Sequence, residues 1–207
     1  DILSYFTKNK KILVIGDIIL DKYIYCDTKR ISSETAIPVF TKKSEEYRLG
    51  GCANVAKNLS HFNLEVEILS IINPENIDII ESLAKKNNIN IQHLIVDSSY
   101  ITPIKTRYIS QKQQCFRLDE ENKKYNHSNN VEIILNNSNY DCIILSDYNN
   151  GVLSKQFTEN IIDYANTLKI PTLVDPKRED YIKFLNATLI KPNLSDAEFY
   201  CGFKIKT

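Results

Sequence analysis

At 207 residues, with 43% hydrophobic and 25% charged positions, the chain has room for one medium-sized domain with its own core and the composition of an ordinary globular protein. Its 26 basic and 26 acidic side chains cancel, which excludes the one-signed field of a protein built to coat nucleic acid or an anionic membrane. Five scattered cysteines without a CxxC pair and three dispersed histidines offer no zinc-ligand spacing. Free thiols, the absence of a basic-then-apolar leader and the interruption of the longest apolar stretch, KILVIGDIIL, by Gly16 and Asp17 together give a cytoplasmic expectation.

In chain order, Ile12 to Ile15 is a short apolar run closed by Gly16-Asp17 and predicts a buried strand. Residues 22–42 alternate in the manner of two paired strands. The stretch RLGGCANVAKNL then leads into a helical pattern over 52–62. A strand is expected at 66–72, a helix at 75–87 and a strand at 89–96, followed by a second pair of strands within 101–119. Beyond these come a helix at 129–137 with Asn129 as N-cap, a strand at 141–146, a helix at 154–169 with Ser154 as N-cap, and strands at 171–175 and 187–190. Polar runs such as KKNNIN and NHSNN read as loops. Strands alternating with helices predict a parallel sheet in an α/β layered domain. The segments 22–42 and 101–119 lack intervening helices and suit a small antiparallel sheet projecting from it. No repeat or linker divides residues 1–207, so the expectation is one α/β body with a β lid.

In an open α/β sheet, ligands gather beyond the carboxyl ends of the strands. That rule singles out Gly16-Asp17, Ser146-Asp147-Tyr148, Asp175-Pro176-Lys177 and Lys191-Pro192-Asn193. One aspartate at a strand end is usually a cap or turn residue; four such clusters favour a polar ligand. Gly50-Gly51 is neither a Walker A loop nor a GxGxxG fingerprint. It supplies a backbone without Cβ obstruction at a helix start, where unpaired N–H groups and the positive dipole end lie. With the amide of Asn54 and the carboxylate of Asp17, this set suits a polyhydroxylated ligand such as a sugar. The plainer alternative is that Gly-Gly only lets a helix pack closely on the sheet.

The ordered segments GDIILDKYIY, RISSETAIPVF, GGCANVA, TPIKTRYIS, FRLDEE, LSDYNNGVL, VDPKRED and KPNLSDAE resemble the ribokinase-like (PfkB-type) carbohydrate kinases, and within them the bacterial kinases that phosphorylate D-glycero-D-manno-heptose 7-phosphate at its anomeric hydroxyl for lipopolysaccharide heptose synthesis. The resemblance implies a Rossmann-like core whose β lid closes over the sugar and pairs with a second subunit's lid in a homodimer. It also implies ATP and Mg2+ as cofactors. Asp17, Gly50, Gly51, Asn54 and Asp147 would lie at the sugar, while Lys105, Arg107 and Arg117 are candidates for the 7-phosphate. Lys177 and Asn193, Leu194, Ser195 and Asp196 would lie at the ATP phosphates, with Asp196 reaching magnesium through water. Three departures stand out. Asn150 occupies a position where these kinases usually carry lysine, and Asp196 replaces a glutamate. The Asp-Thr-x-Gly-Ala-Gly-Asp segment, which holds the general base, is absent. The general base is therefore expected beyond Thr207, and no residue within 1–207 is given that role. The resemblance thus implies the N-terminal part of a longer kinase domain, inactive by itself. Another PfkB-type sugar kinase and a non-catalytic sugar-binding or dimerisation module remain alternatives.

Overall fold

The computed structural model describes residues 10–121, 125, 139–177 and 180–205. A six-stranded parallel sheet forms the body, in the order β10-β9-β8-β1-β4-β5. Its strands are β1 (Lys11–Gly16), β4 (Glu65–Ile72), β5 (Asn90–Val96), β8 (Cys142–Ser146), β9 (Thr172–Asp175) and the short β10 (Leu189–Ile190). Helices α1 (Cys52–Ser60), α2 (Ile77–Lys86), α3 (Lys155–Thr167) and α4 (Leu194–Cys201) connect or follow them. The predicted helix at 129–137 and its cap lie outside the described residues. So does Thr207, the position beyond which the general base is expected, so the fold bears on that expectation only through the carboxylates it does describe.

β1 explains the layering. Its alternate residues Leu13 and Ile15 pack with Phe157, Ile161, Ile162 and Ala165 of α3 on one face of the sheet. Ile12 and Val14 pack with Ala53 and Ala56 of α1 and Ile80 and Ala84 of α2 on the other. A strand covered on both faces needs apolar residues at every position, hence the continuous run rather than an alternating one. The buried side chains of α1 are Cys52, Ala53 and Ala56. Small residues there bring the helix start close to the sheet, which matters for the site below.

The second sheet is the lid, in the order β3-β2-β6-β7, made of β2 (Ile18–Ile31), β3 (Pro38–Gly51), β6 (Ile104–Ser110) and β7 (Gln113–Glu120). Two expectations are corrected here. The lid is mixed rather than antiparallel, because β2 and β6 run parallel in its centre while the outer pairs are antiparallel. The first hairpin is also longer than 22–42. The chain does not stop at Gly16-Asp17 but passes directly from β1 into β2, and β3 returns as far as Gly51. The body and lid therefore share a hinge-like corner where β1, β2, β3 and α1 meet.

Candidate functional site

Register decides which lid residues share a face. Asp21 pairs with Arg48 across β2–β3 and with Lys105 across β2–β6. Tyr23 pairs with Glu46 and Arg107, and Arg107 in turn with Arg117 on β7. Directly paired residues project to one side of a sheet, so Asp21, Tyr23, Arg48, Lys105, Arg107 and Arg117 form one polar face. Where this face meets the start of α1, a cavity of about 410 Å³ opens. Ile19, Asp21, Tyr23, Arg48, Leu49, Gly50, Lys105 and Arg107 line it from the lid, and Gly51, Asn54, Lys57 and Tyr148 line it from the body.

The glycines permit this approach. A Cβ on Gly50 would stand 2.6 Å from Oδ2 of Asp21, and one on Gly51 would stand 2.2 Å from the carbonyl oxygen of Asp17. Gly51 also holds φ 58 and ψ −139 as the N-cap of α1, a region open essentially to glycine alone.

Four cations and one carboxylate line the cavity. Arg107 donates to Asp21 at 2.5 Å and Lys105 to Asp119 at 3.1 Å. Arg48 pairs with Glu46, and that hydrogen bond holds its guanidinium above its ordinary pKa. The Arg48 and Arg107 guanidinium carbons lie 4.4 and 5.3 Å from the centre of the Tyr23 ring, close enough for cation–π attraction. Lys57, one helical turn beyond Asn54, has no ion-pair partner among the described residues. A neighbouring depression of about 460 Å³ shares Tyr23 and Arg48 and extends the polar face outward past Tyr25, Gln111 and Lys112.

Of the residues expected at a sugar phosphate, the fold thus brings Gly50, Gly51, Asn54, Lys105 and Arg107 to one cavity. Arg117 lies on the same lid face one strand further out, paired with Asp119 at 2.8 Å, and does not line it. Asp17 and Asp147 do not line it either, which corrects their expected place at sugar hydroxyls. Asp17 is fully buried. Its Oδ2 accepts from the backbone N–H groups of Tyr148 and Asn150 at 3.0 and 3.2 Å, and its Oδ1 from that of Val152 at 3.1 Å. Burial, helped by the negative charge of Asp147, outweighs these donors and pushes the Asp17 carboxyl from 3.8 up to about 6. Asp147 forms a buried ion pair with Lys183 at 2.8 Å, and the same ammonium donates to the Leu153 carbonyl at 2.7 Å. Asn150, where a lysine was expected, is buried, and its amide oxygen has no partner. The carboxylate that does face the cavity is Asp21, which sequence reasoning missed together with Tyr23, Arg48 and Lys57, whereas Tyr148 belongs to a strand-tip cluster the sequence singled out.

The residues expected at ATP sit elsewhere, at the carboxyl ends of β9 and β10. Lys177 is exposed, and its carbonyl accepts from the Tyr200 hydroxyl at 2.8 Å. Asn193 caps α4, its side chain accepting from the Asp196 N–H at 2.8 Å, so its amide oxygen is committed to the helix. Leu194 is 54% exposed. Ser195 borders a separate depression with Glu198, Phe199 and Phe203, and Asp196 is buried. Among the described residues no group of three or more His, Cys, Asp or Glu side chains could hold a metal ion. The exposed lysines 177 and 191, at the tips of the two strands leading to the α4 N-terminus, fit a polyphosphate. A cation fits here only as one carried by that polyphosphate and reaching a single carboxylate.

The α/β body and its lid share their fold with solved sugar kinases. The chain superposes on Arabidopsis thaliana ribokinase complexed with ribose and ATP with TM-score 0.71 at 12% identity, covering 96% of this chain and 65% of that one. It superposes on a carbohydrate kinase from Agrobacterium tumefaciens with TM-score 0.70 at 17% identity, covering 93% and 64%. These likenesses define a ribokinase-like α/β fold. The family of pfkB carbohydrate kinases matches residues 9–207, and the chain belongs to it. Among its curated relatives are the bifunctional protein HldE of Helicobacter hepaticus, 37% identical over 207 residues, and that of Helicobacter pylori strain J99, 39% identical over 196. The alignments cover 96% and 91% of this chain and 42% of each relative, so the chain spans less than half the length of the relatives it matches. Ribokinase-family kinases use ATP.

Proposed function

We propose that this chain forms the acceptor-binding, lid-bearing part of an ATP-dependent kinase that phosphorylates the anomeric hydroxyl of D-glycero-D-manno-heptose 7-phosphate to the 1,7-bisphosphate, serving lipopolysaccharide heptose synthesis in the cytoplasm. One observation carries the substrate class: of the four cations lining the cavity, Arg48, Lys105 and Arg107 are paired with carboxylates, while Lys57 has no ion-pair partner among the described residues. An uncharged sugar would leave the Lys57 charge unanswered, whereas a phosphate dianion accepts from it and from neighbouring donors at once. Asp21, Asn54 and the Gly51 backbone supply acceptors and donors for hydroxyls.

ATP, when bound, supplies the γ-phosphoryl group, and Lys177 with Asn193, Leu194, Ser195 and Asp196 would hold it and its Mg2+, Asp196 through water. This part of the chain contributes positioning and charge neutralisation, which are most of what phosphoryl transfer requires. Asp21 is engaged by Arg107, and Asp17 and Asp147 are buried, so no carboxylate described at this cavity stands free to act as general base. By the resemblance to these kinases, the role would fall to the part of the relatives' length that this chain does not span. Lid closure over the acceptor would exclude water and restrain ATP hydrolysis.

The test is Lys57→Ala in the full-length protein. We expect KM for heptose 7-phosphate to rise roughly tenfold, in keeping with the loss of one charge-assisted hydrogen bond, while KM for ATP stays within about twofold. Equal activity on an unphosphorylated sugar, with a Lys57→Ala variant indistinguishable from wild type, would overturn the assignment.

A further inference from the structure

Asp17 remains without a role once the cavity has been described, yet it touches both of its body-side walls. Its backbone carbonyl accepts from the first N–H of α1, that of Cys52, at 2.9 Å. Its side chain accepts from three N–H groups of the segment following β8, including that of Tyr148. The first wall carries Gly51, Asn54 and Lys57, and the second presents Tyr148. The corner itself is fixed from beneath: the Ser70 hydroxyl and the Cys52 thiol both donate to the Gly16 carbonyl, at 2.7 and 3.2 Å.

We infer that Asp17 is a positioning residue for acceptor binding, a single buried side chain and its own carbonyl holding the α1 entrance and the 148–152 segment at the spacing the acceptor needs. The inference rests on the reading of this cavity as the acceptor site. Residues 148–152 form no helix or strand, so their N–H groups have no ladder to enter, and Asn149 adopts φ 59 and Gly151 φ 103. The carboxylate takes the place of a ladder, giving one acceptor residue to three alternate donors. An amide could not do this. Asn has one oxygen and one NH2, and whichever way it turned, the NH2 would face at least one N–H donor that now has an acceptor. Nor does stability explain the charge, since its carboxyl is held above the ordinary range by burial beside Asp147.

The experiment is Asp17→Asn in the full-length protein, read by steady-state kinetics and by amide hydrogen exchange. The expected result is a rise of roughly tenfold or more in KM for the sugar-phosphate acceptor. KM for ATP and kcat at saturating acceptor should stay within about threefold, because Asp17 is buried and lines neither the cavity nor the strand tips proposed for ATP. Amides of Tyr148, Asn150 and Val152 should exchange at least tenfold faster, with β4 and β8 amides unchanged. A collapse of kcat at unaltered acceptor KM would assign Asp17 to the chemistry and overturn the inference. So would unaltered exchange at the three amides. Should the variant fail to fold, exchange in the wild type decides the matter: these three loop amides must be protected at least a hundredfold over their intrinsic rates, and rates near intrinsic would overturn it. The exchange readout needs no substrate, so it stands or falls separately from the heptose assignment.

Discussion

Two adjacent glycines illustrate how much a single missing Cβ can decide. Gly50 is bare so that the Asp21 carboxylate can lie against the backbone, and a methyl there would meet the movable end of a side chain. Gly51 is bare for a harsher reason. Its φ of 58 is strained for any other residue, and its missing Cβ would stand inside the Asp17 carbonyl oxygen, which is backbone and itself bonded to Cys52. Forbidden backbone of this kind costs about 1–3 kcal/mol before the clash is counted. Gly51→Ala is therefore expected to lose about 3 kcal/mol of stability in urea unfolding, with Gly50→Ala losing clearly less. Equal unfolding midpoints for the two variants would contradict the geometry. The pair was visible in the sequence as an obstruction-free helix start, and that reading holds for the backbone. Asp17 was not legible in the same way. An aspartate closing an apolar run looks identical whether it faces a ligand or turns inward to collect N–H groups, and only the position of the 148–152 segment, 131 residues away, distinguishes the two.

At the scale of elements, another buried carboxylate shows the electrostatics opposite to those of Asp17. Glu67 on β4 receives Lys11 of β1 at 2.8 Å, Asn90 and Gln92 of β5 at 3.1 Å each, His93 at 3.2 Å, and the Tyr140 hydroxyl. Burial raises its carboxyl, but the hydrogen bonds from Lys11 and Tyr140 and the positive charge of Lys11 outweigh it and hold it below the usual 4.5. It joins three neighbouring strands at the end of the sheet opposite the cavity. A lowered native pKa stabilises the fold above the unfolded value of 4.5, and that contribution disappears as pH falls through the lower folded value. Glu67→Gln should cost about 2 kcal/mol at pH 7, below the range for a fully buried pair because Lys11 remains partly hydrated. The gap to wild type should close as pH drops below about 4.5. A gap that is constant with pH would show that the hub acts by packing alone. The strands it joins were legible as apolar runs, since a doubly covered strand must be apolar throughout. The lid was legible only in part. The sequence reading began the paired strands at residue 22, because the Gly16-Asp17 break masked the continuation of β1 into β2, and with it the face shared by Ile19, Asp21 and Tyr23. Lys57 was within reach of the same logic, three residues beyond Asn54 on one helical face. Parallel pairing of β2 with β6 was not legible, because nothing in local alternation reports strand direction.

At the scale of the whole molecule, no helix among the described residues is long and apolar enough to cross a membrane, and two groups among the exposed apolar side chains stand away from the cavity. One is the far edge of the body, with Leu185, Leu189, Ile190, Leu194, Phe199 and Phe203. The other is the lid face turned away from the cavity, where Phe116 and Leu118 are 53% and 45% exposed. Phe116 packs on Tyr108 with ring centroids 5.2 Å apart, and both belong to the face that alternates with the charged one. β7 is moreover an edge strand with every residue exposed, and an unprotected edge bearing aromatic residues invites pairing. We propose that this surface meets the lid of a second copy, which would cover the apolar face while leaving the cationic face turned to the acceptor. Phe116→Glu in the full-length protein is then expected to convert a dimer to a monomer in sedimentation velocity at micromolar concentration, because a charge would be buried against its own symmetry mate. The substitution leaves the edge at β10 untouched, so a variant that stays dimeric would move the contact there, and a wild type that sediments as a monomer at tens of micromolar would remove the lid pairing altogether.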